Sequence, residues 1–444
     1  MNPPSYTGDT EWRCGMEERV VHTGEGGFPV VRHLVLRGTN QEIGAALARV
    51  AATRHGLTAR ALQDADPSRS CVQTDYISEH APILWQRAQG VARGLGLEIP
   101  TCDSTTLPYN QLPPGLAGPG CSLVFYPPRA TRSGHSCLSR NYDFPKGSAA
   151  DMFGIELPPE VRQSVRAFMA DPYVLELHPT DGGYASLAMV SFDLLAGTLD
   201  GINSEGLMMA VNGDEVSLRE GMGTQPQGTG FHELSCMREV LDGCATADEA
   251  RDFLLSARFY VAMMPCHYLI ADRHGNAFVF ERDPHGGTHV LPSREGPLVM
   301  TNHPLHRFPD RASFPQPHDV QNVGTTSFDR YVHLEDAVAQ TAGTHRVEDM
   351  VKACETVSVS RVLEWIPEPA RQAIAASPGL SRTLWHVVYD AEARSMRIRF
   401  YAGETKKSDG TFDERYGELH TFVLGAQDPE PETQTRSRPS ALAR

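Results

Sequence analysis

Apolar and polar positions repeat with two different periods along this chain. "FPVVRHLVLRG" (28–38) alternates as a strand does, whereas "TNQEIGAALARVAATRH" (39–55) carries its apolar residues at helical spacing. Thr39 or Asn40 can cap that helix, and Glu42 lies in its first turn. "DYISEHAPILWQRAQGVARGLGLE" (75–98) predicts a second long helix. Residues 1–28 are polar and Gly-rich and predict irregular structure, and the Pro- and Gly-rich stretch 99–120 predicts an exposed loop.

From Cys121 the period becomes that of strands. "CSLVFY", "HSCLSRNYDF", "VLELHP", "YASLAMVSF" and "LDGINSEGLMMAVNGD" follow one another, separated by turn residues. "FHELSCMREVLDGC" and "TADEARDFLLSA" read as helices, the second with Thr246 and Asp248 near its start. "HYLIADRHGNAFVFERDP" and "TLWHVVYDAEARSMRIRFY" predict hairpins, and "GPLVMTNHP" a strand ending in a polar triplet. "TTSFDRYVHLEDAVAQ" and "RVEDMVKACETV" are helical, and the polar, Pro-rich tail 426–444 predicts disorder. Helices, strands, helices and strands in blocks suit a layered α+β architecture rather than a doubly wound parallel sheet.

Composition narrows the function classes. A formal net charge of −15 with no dense basic run argues against nucleic acid as the main partner. The N-terminus lacks the apolar core of a signal peptide, and no apolar run approaches the ~20 residues that span a bilayer. Nine cysteines form no CxxC pair, so neither a disulfide framework nor a structural zinc site is expected. These features together predict a reduced, cytoplasmic protein without membrane partners.

The candidate chemistry lies in "GPGCSLVF", where a thiol follows a turn-forming stretch and opens a strand. The plain reading is a Gly-Cys pair in a loop. The sharper one is that cleavage of the Gly120–Cys121 bond gives Cys121 a free α-amine, whose pKa of about 7.7–8.0 suits a general base. The cut itself would be intramolecular, the thiol attacking the Gly120 carbonyl. A conventional Cys–His hydrolase using His135 or His267, and a non-catalytic scaffold, are the competing readings. Cys266 and His267 are neighbours on a predicted strand and point to opposite faces. "HPLHRF" pairs two histidines without a carboxylate at a usual ligand spacing, so no metal is expected there. Phosphate-binding loops are absent.

"GCSLVF…SRNYDF", "LDGINSEGLMMAVN" and "VMTNHP" resemble the penicillin acyltransferase and choloylglycine hydrolase families of N-terminal nucleophile hydrolases. "LRGTNQEIG", "GVARGLGLE", "VLDGCATADEA" and "TLWHVVYD" extend the resemblance over roughly residues 30–400. It implies a four-layer αββα sandwich of two antiparallel sheets, with residues 1–120 as propeptide or small subunit and 121–425 as the catalytic part. Cys121 matches the nucleophile, and Arg140 and Asp143 match the arginine and aspartate beside it. Asn212 matches the oxyanion-hole amide, Asn302 the asparagine that orients the amine, and Arg330 a late arginine near the nucleophile. The plainer alternatives are a turn cap for Asp143, an Asn-Gly hairpin turn for Asn212, a strand end for Asn302 and a solvated helix residue for Arg330. The implied activity is hydrolysis of a linear amide without a cofactor, or transfer of the acyl group to an amine. The implied partners are a small amide or acyl substrate and the retained propeptide, and a homo-oligomer is compatible with both.

Overall fold

The strand patterns assemble into two sheets. The computed structural model describes residues 14–62, 67–97, 120–152, 156, 158, 160, 166–191, 194–195, 197–222, 228–315, 325–368, 371 and 380–426. The nine-stranded sheet contains β1 (Gly15–Thr23), β2 (Val30–Gly38), β5 (Tyr173–Pro179), β6 (Ser186–Ser191), β7 (Gly197–Asn203), β8 (Met208–Gly213), β9 (Cys266–Ala271), β10 (Ala277–Arg282) and β11 (Thr288–Pro292), in that spatial order. The second sheet runs β12 (Leu298–Met300), β3 (Cys121–Tyr126), β4 (Cys137–Pro145), β13 (Ser381–Asp390), β14 (Ser395–Lys406) and β15 (Phe412–Tyr416), with β16 (His420–Val423) also on β14. All pairs are antiparallel except β2 with β5.

The sheets face each other where β3 meets β8 and β9, and helices cover both outer faces. On the nine-stranded side, α1 (Asn40–His55) lies over β2 and β5 and against α3 (Pro82–Gly94), to which α2 (Pro67–His80) also packs. There too α4 (Ser235–Gly243) covers β7 and β8, and α5 (Ala247–Ser256) covers β9 and β10. On the other side α6 (Thr325–Ala339), α7 (Val347–Glu355) and α8 (Val359–Trp365) pack on β12, β13, β4 and β15. This is the four-layer α+β sandwich. It explains why every residue of β3 and β4 is buried: each strand has a sheet on one face and helices on the other. No helix among the described residues is long and apolar enough to cross a membrane.

Thr39 caps α1, its hydroxyl accepting from the Glu42 N–H while the Glu42 carboxylate accepts from the Thr39 N–H. Two sequence expectations and one plainer alternative fail. The predicted helix 75–98 is two helices, α2 and α3, because Pro82 takes the first position of a new helix and forces Ala81 out of helical geometry. Residues 15–23, expected to be irregular, form β1. That strand is an exposed edge, so its charged sequence carries no apolar alternation. Asn212-Gly213 makes no hairpin turn. Both lie inside β8, opposite His267 and Cys266 of β9. The predicted loop 99–120, except Gly120, and the predicted tail 426–444, except Ala426, lie outside the described residues.

The residues before Cys121 share one core with those after it. Val31, Leu34, Leu36 and Ile43 are fully buried in the cluster that also holds Leu123, Phe125 and Trp385. A buried ion pair spans the same divide: Arg87 of α3 donates to Asp242 of α4, which Arg238 also grips at 2.8 Å.

Candidate active site

Cys121 is the first residue of β3 and is buried. Its strand runs beside β4 in a register that sets Cys121 opposite Tyr142. Arg140 and Asp143 are two and one residues away from that position. Arg140 Nη2 lies 3.6 Å from Cys121 Sγ and also donates to the carbonyl of Val211. Its other terminal nitrogen donates to Leu199 O at 2.7 Å and to the Asp200 carboxylate, which Tyr389 also reaches. The guanidinium is therefore fixed by its neighbours rather than by the thiol.

Asn302 follows the short strand β12, which pairs with β3. Its Oδ1 accepts from Cys121 N at 2.8 Å and from Arg330 Nη2 at 2.7 Å. Its Nδ2 donates to Gly213 O at 2.8 Å, and its own N–H to Ser327 Oγ at 2.8 Å. Two fixed acceptors for Nδ2 and N–H leave the amide oxygen one orientation, toward Cys121. Arg330, buried on α6, donates from Nη1 to Cys121 O at 2.6 Å and Ser122 Oγ at 3.0 Å. The solvated-helix alternative for Arg330 is excluded by these contacts.

Asp143 N donates to the carbonyl oxygen of Gly120 at 2.9 Å, and its Oδ1 accepts from Thr383 Oγ1 at 2.7 Å. A Cβ placed on Gly120 would stand 3.1 Å from Asp143 Oδ2. The carboxylate thus leans against the Cα of Gly120, and a side chain there would have to push it aside by a few tenths of an ångström. Asn212 joins less directly. Its Nδ2 donates to Thr301 O at 2.9 Å, beside Asn302, and it follows Val211, whose carbonyl shares Arg140 with the thiol. An amide nitrogen carries two N–H groups, so one donor of Asn212 is left for a ligand.

Burial pushes the Cys121 thiol up, the Arg140 charge pulls it down, and the Asp143 charge pushes it up again. Burial also pushes the Asp143 carboxyl up to about 7, against the pull of Arg330 and the Thr383 hydroxyl. Burial therefore favours the neutral thiol, next to a carboxyl pushed up to about 7.

Neither histidine of the competing reading can serve. His135 sits at the other end of the β3–β4 pair, beside Cys137, which lies opposite Tyr126. Five strand residues separate the two ends, about 16 Å. There His135 Nδ1 binds Asp390 at 2.9 Å. His267 spends Nδ1 on Glu281 at 3.1 Å and Nε2 on Thr301 O at 2.7 Å. The eight described cysteines are all free thiols.

Asp200, Ser327 and Thr383 were not singled out in the sequence, yet each fixes a candidate residue. Asp200 and Thr383 stand inside "LDGIN" and "TLWHVVYD", so the motifs contained the signal. Ser327 is one serine in a helical run and offers none.

A family model described as acyl-coenzyme A:6-aminopenicillanic acid acyl-transferase matches residues 130–406. Solved structures similar to the chain include penicillin V acylase from Agrobacterium tumefaciens, at 18% identity over 63% of this chain and 83% of that one, with a TM-score of 0.39. A mutant of conjugated bile acid hydrolase from Clostridium perfringens is similar at 14% identity, over 68% of this chain and 96% of that one, with a TM-score of 0.41. No curated protein matches the chain in sequence.

Proposed function

As this chain belongs to the acyl-coenzyme A:6-aminopenicillanic acid acyl-transferase family, we propose that it is a self-processing cysteine amidohydrolase. The observation that carries the reading is the grip of Asn302 Oδ1 on Cys121 N. A side chain that accepts from this nitrogen in the intact chain holds it equally well as a free α-amine.

Processing starts when Asp143 takes the Cys121 thiol proton. Sγ attacks the Gly120 carbonyl, whose oxygen already accepts from Asp143 N–H, so the developing oxyanion meets a placed donor. The C–N bond breaks, the nitrogen takes the proton, and a thioester joins Gly120 to Sγ. Water hydrolyses it, releasing the Gly120 carboxylate and the thiol. In the mature enzyme the α-amine of Cys121 takes the thiol proton, and Arg140 stabilises the thiolate. Sγ attacks a linear amide, Asn212 Nδ2 supports the oxyanion, and the amine leaves with the proton. Water then resolves the acyl-enzyme thioester. Arg330 holds the Cys121 carbonyl, so the first residue of the strand stays in place after the chain is cut.

The segment 1–120 remains bound after cleavage in this reading, because β2 is an internal strand of the nine-stranded sheet and Arg87 is paired with Asp242. The small-molecule partner is an amide or acyl donor. Transfer to an amine acceptor is the second reading, favoured by the description of the matching family.

Product analysis separates the two. A panel of N-acyl amino acids and penicillins is incubated with processed protein, with and without an amine acceptor. Hydrolysis predicts free acid at the same rate in both arms. Acid release that is replaced by acyl transfer once the acceptor is present selects the second reading, and no acyl chemistry in either arm overturns both.

Residue 120 supplies a separate check. Gly120→Ala sets a methyl 3.1 Å from Asp143 Oδ2 and 3.6 Å from its Cβ, displacing the carboxylate. Processing should slow by about 10-fold to 100-fold without stopping, followed by the half-time of the intact chain on gels.

A further inference from the structure

Away from Cys121, the open edge of the nine-stranded sheet gathers ligating side chains from two segments. Asp283 begins the β10–β11 turn, His289 lies on β11, and His306 follows β12. One ligand atom from each lies within 4.8 Å of the others, and all three residues are half-buried, within reach of solvent. We propose that these residues form a binding site for an imidazole-preferring divalent cation of the zinc class.

The two imidazoles stack in parallel, with ring centroids 3.9 Å apart and 3° between planes. Glu281 decides which atom His306 offers. Its Oε2 accepts from His306 Nδ1 at 2.7 Å, which places the proton on Nδ1 and the lone pair on Nε2. A carboxylate behind a histidine in this way is the usual outer support of a zinc ligand. Glu281 is itself fixed by the N–H groups of Leu305 and His306, at 2.7 and 2.9 Å.

Asp283 is oriented by its turn. Its Oδ1 accepts from the N–H groups of His285 and Gly287 at 2.8 and 2.9 Å, and Oδ2 meets His289 Nε2 at 2.8 Å. A Cβ at residue 287 would stand 2.3 Å from that Oδ2, so glycine there leaves room for the oxygen. The cation takes the place of the proton that Asp283 and His289 share. Two imidazole nitrogens and one carboxylate oxygen are a donor set that suits zinc, with bonds of about 2.0–2.2 Å and a fourth position for water or an exogenous donor. Magnesium and calcium prefer oxygen-only sites.

The "HPLHRF" pairing fails as a ligand set for a physical reason. His303 is turned into the core, stacked on Phe328, and burial pushes it down to about 3. His306 takes its partners from the preceding β10–β11 hairpin, in Glu281, Asp283 and His289.

The full chain is titrated with zinc chloride in competition with a chromophoric chelator, beside His289→Ala and Asp283→Asn. Both variants should fold: His289 lies on the sheet edge, and asparagine keeps the turn acceptor. One tight equivalent in the parent, weakened about 100-fold in each variant, is expected. The cobalt-loaded parent should show d–d bands without a thiolate charge-transfer band. Equal zinc affinity in all three proteins, no tight equivalent in the parent, or a thiolate band lost in neither variant overturns the site.

Discussion

Cys121→Ala is expected to remain one chain where the parent yields residues 1–120 and 121–444, and to lose all acyl chemistry. The substitution removes only Sγ. Cys121 N still donates to Asn302, and its carbonyl still accepts from Arg330, so the site keeps its backbone geometry. Arg140 keeps its bonds to Leu199, Val211 and Asp200, so it does not collapse into the space left by the sulfur. What disappears is the atom that forms the thioester in both stages. Intact-mass measurement of the two proteins reads the first stage, and the product panel reads the second. A variant that is cut at the same bond, or a parent that is uncut yet active, rules out self-processing by this thiol.

Elements whose apolar residues face one side of a covered sheet were legible in the sequence, and those at its margins were not. β5, β6, β8 and β9 announce themselves as apolar runs because both of their faces are covered. β1, β11 and β16 lie at margins, where half-exposed side chains carry no periodic signal. The break at Pro82 was legible in principle, since proline constrains the residue before it, but the apolar spacing on either side hid it. The candidate site shows the same division. Cys121, Arg140, Asp143 and Asn302 stood out through motif resemblance; in the structure Asn302 and Arg140 contact Cys121 directly, and Asp143 binds the carbonyl of the preceding Gly120. Their supports stood out less, because a serine on a helix or a threonine on a strand is ordinary until the fold puts one against the Asn302 N–H and the other against the Asp143 carboxylate. Asp283 and His289 show the limit most clearly. Nothing in the sequence links a turn aspartate and an edge-strand histidine to His306. Only the β10–β11 pairing and the return of the chain after β12 do so.

Under the proposed processing, the intact site holds its groups in an inactive balance. The thiol is raised by burial more than by anything else, and the arginine that would lower it is shared with a carboxylate and two carbonyls. An acid that titrates near neutrality is what such a centre needs to start the first reaction, because the α-amine that serves later does not yet exist. Among the described residues, Asp143 is the acid that fits this description and binds the Gly120 carbonyl through its own N–H.

Asp143→Asn should therefore slow processing by about 10²–10³-fold, the usual yield of a positioned base. Asparagine keeps a side-chain oxygen for Thr383 and the backbone N–H for Gly120, so the loss reports proton transfer rather than geometry. The pH profile gives the sharper reading. With the Asp143 carboxyl at about 7, the carboxylate fraction grows as pH rises through that value, and the parental processing rate should climb and then level off. The variant should show no inflection there. Thr383→Val moves the same inflection the other way from a simple loss. The Thr383 hydroxyl stabilises the carboxylate, so its removal raises the Asp143 pKa and shifts the climb to higher pH, with much of the plateau rate retained. Rates measured from pH 5 to 9 on freshly refolded precursor distinguish these cases. A parental inflection unmoved by Thr383→Val, together with parental processing in Asp143→Asn, would show that the thiol loses its proton to some other group.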